Sequence, residues 1–261
     1  MTPREELARK LRESRLAAGH KSQDSLARAL NVTRTVVTKA ESPNQAVPSP
    51  EVIASWAGAT DADKEELDGI VKRCRAGMPE WFMPYFEAEA VATSHRFWGP
   101  LAVPGLLQTE GYARAMLATF GHTGERLNEL LAARMERQAV TKRARITAVI
   151  DHTVLKRCLG SAEVMTEQCG HLVTLTEMRP VRVHIVPEGG NVGLGGAFGI
   201  ASRDSMSTVS LTTTTRDVTS TASDLLDEIT NAFEMVLGTA MSAVDSLDFL
   251  RTMEGEWKER I

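Results

Sequence analysis

Residues 22–41, SQDSLARALNVTRTVVTKAE, restrict the fold more than any other stretch of this 261-residue chain. Leu26, Ala27 and Leu30 recur at helical spacing, and Ser22 stands where a first helix needs a capping oxygen. Asn31 follows, a residue that tolerates the left-handed backbone needed to leave a helix. Thr33 then offers a cap to a second helix running to about Glu41. On that helix Val37 and Ala40 share one face, with Val32 just ahead of them, while Arg34, Thr35, Thr38 and Lys39 share the opposite face. A two-turn helix with an apolar back and a cationic, hydroxyl-bearing front is shaped to enter a DNA major groove.

With these residues in view, the stretch resembles the helix-turn-helix of the xenobiotic-response-element (lambda-repressor-like) regulators. The matching positions are the Gly19 turn, Ser22-Gln23, Leu26-Ala27, Val32-Thr33-Arg34, Val37-Thr38 and Ala40-Glu41. The resemblance implies that Gln23, opening the second helix, binds phosphate and that Arg34, Thr35, Thr38 and Lys39 face the bases. With the capping Thr33, the expected DNA-contacting set is Gln23, Thr33, Arg34, Thr35, Thr38 and Lys39. It also implies that Arg15 pairs with Glu41, tying the first helix to the end of the recognition helix. Such regulators place a glycine one or two residues after that glutamate. Here Ser42-Pro43-Asn44 follows, so the next turn is expected to be built differently.

The charge distribution agrees with a contact to phosphate. The net charge is −4, but residues 1–40 hold nine Lys or Arg against four acids, a balance of +5, which leaves −9 for the rest. A basic head on an acidic body is the asymmetry expected when one domain meets phosphate and the other does not. The N-terminal MTPREELARKLRESR has neither the apolar core nor the cleavage pattern of a signal peptide, and no apolar run approaches membrane-spanning length. Cys74, Cys158 and Cys169 are odd in number and far apart, giving neither a disulfide framework nor metal-ligand spacing. The expectation is a cytoplasmic, nucleoid-associated protein with reduced thiols, Cys158 and Cys169 packing as small hydrophobes.

Along the chain, Thr2-Pro3-Arg4-Glu5 reads as a helix start, with Leu7 and Leu11 on the inner face and Gly19 as the stop. After a proline-rich loop, Ser49-Pro50-Glu51 starts a fourth helix carrying Val52, Ile53 and Trp56. Asp61-Ala62-Asp63 starts a fifth with Leu67, Ile70 and Val71. The domains predicted are 1–77, a five-helix lambda-repressor-like DNA-binding domain, and 78–261, an α+β dimerisation, effector or partner-binding domain. In the second, helices are expected at 83–90, from Glu110, over 125–141 (Leu127, Leu130, Leu131 and Met135 inside; Arg126, Arg134 and Arg137 outside), over 161–178, and in two C-terminal stretches. Strands are expected at 145–151, 181–186, 197–201 and 208–213, forming a small antiparallel sheet against helices, so the chain is mainly α. Phe97 to Leu107 reads as an irregular, apolar, proline-kinked connection that must be covered.

The second domain carries its own resemblance. The string Trp98-Gly99-Pro100, the run Val103-Pro104-Gly105-Leu106-Leu107-Gln108-Thr109-Glu110-Gly111-Tyr112-Ala113-Arg114, and Arg134-Met135-Glu136-Arg137-Gln138 are similar to the C-terminal domain of the WhiJ-like, antitoxin-like regulators. The resemblance implies a regulator, whether activator or repressor, that controls differentiation or specialised metabolism and works with a small neighbour-encoded partner protein.

No catalytic constellation emerges. The glycine-rich Pro187–Gly196 stretch lacks the Gly-Lys-Ser/Thr of a phosphate loop and reads as a flexible hairpin connection. The six histidines show no metal-ligand pairing, and Asp151-His152 at a strand end has no nucleophile by motif. The expectation is therefore no enzyme, no catalytic or metal residues and no cofactor. A homodimer is expected to bind a double-stranded inverted-repeat operator, with a small partner protein or small-molecule effector acting through the second domain. The alternative is an antitoxin-like interaction protein whose DNA binding serves autoregulation.

Overall fold

The computed structural model describes residues 3–43, 45, 47–76, 83–178, 180–190, 196–212 and 218–261. The chain divides into two compact units, Met1–Glu80 and Trp81–Ile261. The capping Thr2 and the segment Gly77-Met78-Pro79 lie outside the described residues.

The first unit runs α1 (Pro3–Ala17), α2 (Gln23–Ala29), α3 (Arg34–Ala40), α4 (Pro50–Thr60) and α5 (Lys64–Ala76). Each helix contributes an apolar stripe to one core. Leu7 and Leu11, Leu26, Val37, Ile53 and Trp56, and Leu67 and Ile70 are all essentially solvent-free. The punctuation is local. Ser22 Oγ accepts the amide of Ser25, Ser49 Oγ accepts that of Val52, and Asn31 and Asp61 take left-handed backbone (φ 54° and 53°) where α2 and α4 end. The Trp56 indole packs in the core, and its Nε1 donates to Ser14 Oγ at 3.1 Å.

The second unit is a six-stranded mixed sheet, which corrects the small antiparallel sheet expected from sequence. Its strands are β1 (Ser94–Gly99), β2 (Arg145–Asp151), β3 (Val181–Val186), β4 (Phe198–Arg203), β5 (Met206–Leu211) and β6 (Val218–Ser220). They lie in the order β3-β2-β1-β4-β5-β6. β1, β2 and β3 are mutually parallel, with Phe97 opposite Ala148 and Ala148 opposite Val183; β4, β5 and β6 continue antiparallel. Parallel neighbours need long crossovers. These are supplied by α7 (Glu110–Thr119) and α8 (Gly124–Arg137) between β1 and β2, and by α9 (His152–Lys156) and α10 (Ala162–Met178) between β2 and β3. The remaining helices are α6 (Met83–Val91), α11 (Ser223–Thr239) and α12 (Ala243–Lys258).

Both faces of the sheet are covered. On one, Met165, Cys169 and Leu172 of α10 and Leu250, Met253 and Trp257 of α12 pack on Ile146, Ala148, Val183 and Ile185. On the other, Phe233 and Val236 of α11 pack on Trp98, Val149, Ile200 and Val209. Burial on both faces explains why β2 and β3 read as apolar runs. In the same order β3 is an edge strand, with β2 and β1 between it and β4, so the Pro187–Gly196 stretch does not join neighbouring strands as the hairpin reading expected; its residues 191–195 lie outside the described residues.

Two further expectations change. Phe97 to Leu107 is not an irregular connection throughout, because its start is the central strand β1; Val103, Leu106 and Leu107 are then buried against their own domain, the last two in a 3-10 turn, Gly105–Leu107. Arg134 and Arg137 do not face solvent. Arg137 makes a bidentate pair with the buried Glu89 (2.8 and 2.9 Å), and Arg134 Nη1 donates to Gln108 Oε1 at 3.0 Å. Burial, with Arg137 nearby, pushes Arg134 down to about 10.

Candidate nucleic-acid interface

α2 and α3 form the helix-turn-helix. The turn between them is closed by Asn31 in left-handed backbone and by the Val32 amide, which donates to the Ala27 carbonyl at 3.0 Å. Thr33 occupies the N-cap position of α3 in extended backbone but makes no side-chain cap bond, so its expected capping role is not exercised. Val37 and Ala40 are buried, and Val32 packs beside them. Arg34, Thr35, Thr38 and Lys39 are all exposed on the other side. Together with Ser42 and Gln45 these four line one shallow depression. Arg34 lies 3.6 Å from Asp24, both well exposed, and an exposed pair of this length contributes little. The guanidinium is thus available to an incoming base or phosphate.

Gln23 does not stand free at the start of α2. Its Nε2 donates to Glu41 Oε2 at 2.9 Å, and its Oε1 accepts from Thr38 Oγ1 at 2.8 Å. Glu41 is in turn held by Arg15, through Nε at 2.5 Å and Nη2 at 3.1 Å, while Arg15 Nη1 donates to the His20 carbonyl at 2.7 Å. Both side chains of this pair are nearly solvent-free, at 6% and 4%. The ion pair implied by the resemblance is present, and it extends into a chain Arg15–Glu41–Gln23–Thr38 that joins α1, α2 and α3. A buried charge pair tolerates desolvation only when its remaining donors and acceptors are satisfied, and here they are.

Sequence reasoning missed Arg4. Its Nη2 donates to the carbonyls of Lys39 (2.8 Å) and Ala40 (3.0 Å), and its Nε to that of Gln45 (3.0 Å). The last carbonyls of α3 thereby find a cationic partner at the negative end of the helix. This answers the absence of a glycine after Glu41: a side chain from α1 satisfies the carbonyls that a glycine turn would otherwise cover. Ser42 and Gln45 were also missed. The only signal was that they follow α3 within five residues.

Elsewhere the residues weighed for chemistry have structural employment. Asp151 caps α9, accepting from the Thr153 amide at 2.9 Å and from the Thr153 hydroxyl, with His152 Nδ1 3.6 Å away. Cys169 is buried, and burial pushes its thiol up to about 12. Cys158 is exposed, contrary to the expectation that it packs as a small hydrophobe. Among the described residues no group of His, Cys, Asp or Glu is arranged to hold a metal, and no helix is long and apolar enough to cross a membrane.

Residues 82–252, more than half the chain, match the family described as a domain of unknown function, DUF5753. The chain belongs to this family. Ahead of the DUF5753 match, residues 6–69 match a family described as a helix-turn-helix domain, spanning α2 and α3. That match supports a helix-turn-helix DNA-binding regulator, with the DUF5753 domain as its second part. No protein with a curated description matches the chain.

Proposed function

We propose that this chain is a sequence-specific transcriptional regulator that reads an inverted-repeat operator as a homodimer, α3 lying in the major groove. The observation that carries the reading is the two-sidedness of α3: Val37 and Ala40 are buried, while Arg34, Thr35, Thr38 and Lys39 stand together in the open. Arg34 and Lys39 suit guanine edges, and the threonine methyls suit thymine. Gln23 meets phosphate at the start of α2 while Glu41 and Thr38 fix its amide, and Thr33, at the N-cap of α3, joins the contact set. The second domain, 78–261, holds the dimer and modulates the first through a partner protein or small molecule; its role is binding, not turnover. A cytoplasmic, nucleoid-associated location follows from this reading.

The finer kinship, to WhiJ-like, antitoxin-like regulators of differentiation or specialised metabolism, rests on the VPGLLQTEGYAR string. That string builds a packed feature: Gln108 Nε2 donates to the Val103 carbonyl (2.7 Å), and Thr109 caps α7. The test is selection from a random duplex pool with the full-length chain. Enrichment of an inverted repeat, with affinity falling steeply as salt rises, is the expected result. A pool that shows no enrichment after repeated rounds would remove the regulator reading.

A further inference from the structure

The DUF5753 domain encloses a cavity of about 880 Å³ at the carboxyl end of β1 and the amino end of β4. This is the point at which the sheet changes direction: the chain leaving β1 crosses to β2 on one side, while β4 borders β1 on the other. In open α/β sheets such a crevice is where ligands bind. The volume lies within the range of small-molecule sites.

Its walls are apolar. Phe97, Val103, Met116, Leu159 and Phe198 contribute to the lining. At the surface, Leu101 and Phe120 also belong to the lining and are 63% and 71% exposed, large hydrophobic side chains that water does not favour there. Among the described residues three charged side chains reach the lining. Glu89 and Arg137 hold each other in the bidentate pair, and Arg157, exposed, donates from Nη1 to the Leu101 carbonyl at 3.2 Å. The buried pair cancels, and the one charge left over, on Arg157, is exposed and screened by solvent.

At the sheet, Phe97 and Trp98 of β1 and Phe198 of β4 border the cavity. Close by, the Tyr85 hydroxyl lies over the backbone of β4 at Gly199, where any added Cβ would collide with it.

We infer that this cavity binds a neutral, predominantly apolar small molecule. The apolar walls supply the affinity. As an effector site it rests on the regulator reading; as a binding site it does not, and the assay contains no DNA, so the two can fail separately.

The probe is 6-propionyl-2-dimethylaminonaphthalene, a neutral, apolar ketone whose emission reports polarity. Titrated into the full-length protein, it should bind one per chain, shift its emission to the blue and raise the melting temperature. Gly105→Leu and Met116→Trp fill the cavity from two different segments; a Cβ at Gly105 meets nothing within 4 Å. Each, once shown folded by circular dichroism, should weaken binding by about tenfold or more. Phe120→Ser, at the rim, should cost less than either filling variant. No binding up to about 100 μM overturns the site, as does binding that survives both filling variants.

Discussion

Replacing Glu41 with alanine removes the acceptor for two Arg15 donors and for Gln23 Nε2 at once. Arg15 is 5% exposed, so its charge then sits in the domain with only the His20 carbonyl to receive it. Breaking a buried pair by deleting one partner costs about 3–5 kcal/mol, because the survivor's desolvation is no longer compensated. At 1.4 kcal/mol per factor of ten, this is an increase of roughly a hundredfold to a few thousandfold in opening of the α1–α3 region. The assay is hydrogen exchange of the full-length chain, read by mass spectrometry over peptides from α1 and α3. The double variant Arg15→Met, Glu41→Leu supplies the control. With both charges replaced by apolar groups of similar size, the loss should fall to within about 1 kcal/mol of the wild type. If Glu41→Ala changes protection by less than about 1 kcal/mol, the pair behaves as a surface contact and the tie between α1 and the recognition helix fails.

Three further outcomes follow. His95 is buried, stacked on Phe97 at 5.8 Å, and neither ring nitrogen is hydrogen-bonded among the described residues. Burial, with Arg143 and Arg137 nearby, pushes it down to about 4. The folded state therefore prefers the neutral ring: stability is full above the unfolded value near 6.5 and is lost as pH falls towards 4, by about 3 kcal/mol in all. Urea midpoints at neutral and acidic pH should separate further for the wild type than for His95→Gln, and parallel curves would contradict this. Arg4→Ala should fray the C-terminal turn of α3 and cost about 1–2 kcal/mol of protection there, again read by exchange, whereas unchanged protection of that turn would count against the cap. Sedimentation should find the full chain dimeric and the 1–77 fragment monomeric, since α1–α5 direct their apolar stripes into their own core; a dimeric fragment would move the interface to the wrong domain.

The parts of the fold that were legible in the sequence are those where local chemistry and tertiary packing agree. Ser22, Asn31 and the Val37/Ala40 spacing specify α2, the turn and α3 with no long-range information. β2 and β3 were legible for the same reason, being short and rich in β-branched residues. β1 was not. SHRFWG contains no β-branched residue and runs into Gly-Pro, yet it is the centre of the sheet, held by β2 on one side and β4 on the other. Its strand character comes from its neighbours. The direction of the sheet was hidden too, because a parallel arrangement is set by where the α7–α8 and α9–α10 crossovers land. Arg134 and Arg137 read as solvent-facing because their partners, Gln108 and Glu89, are remote in sequence. At the interface, the exposed face of α3 was legible from helical spacing, whereas the Arg4 cap depends on how α1 approaches α3.

The central claim is that α3 reads base sequence while Gln23 secures the backbone. The direct measurement is the affinity of the wild type, Arg34→Ala and Gln23→Ala for the selected operator and for every single-base variant of one half-site, at one fixed salt concentration. Arg34→Ala should lose about 1–3 kcal/mol on the operator and relax discrimination at one base pair per half-site, while Gln23→Ala weakens all sequences alike. An Arg34→Ala protein that keeps the full wild-type sequence preference would contradict the placement of α3 in the groove.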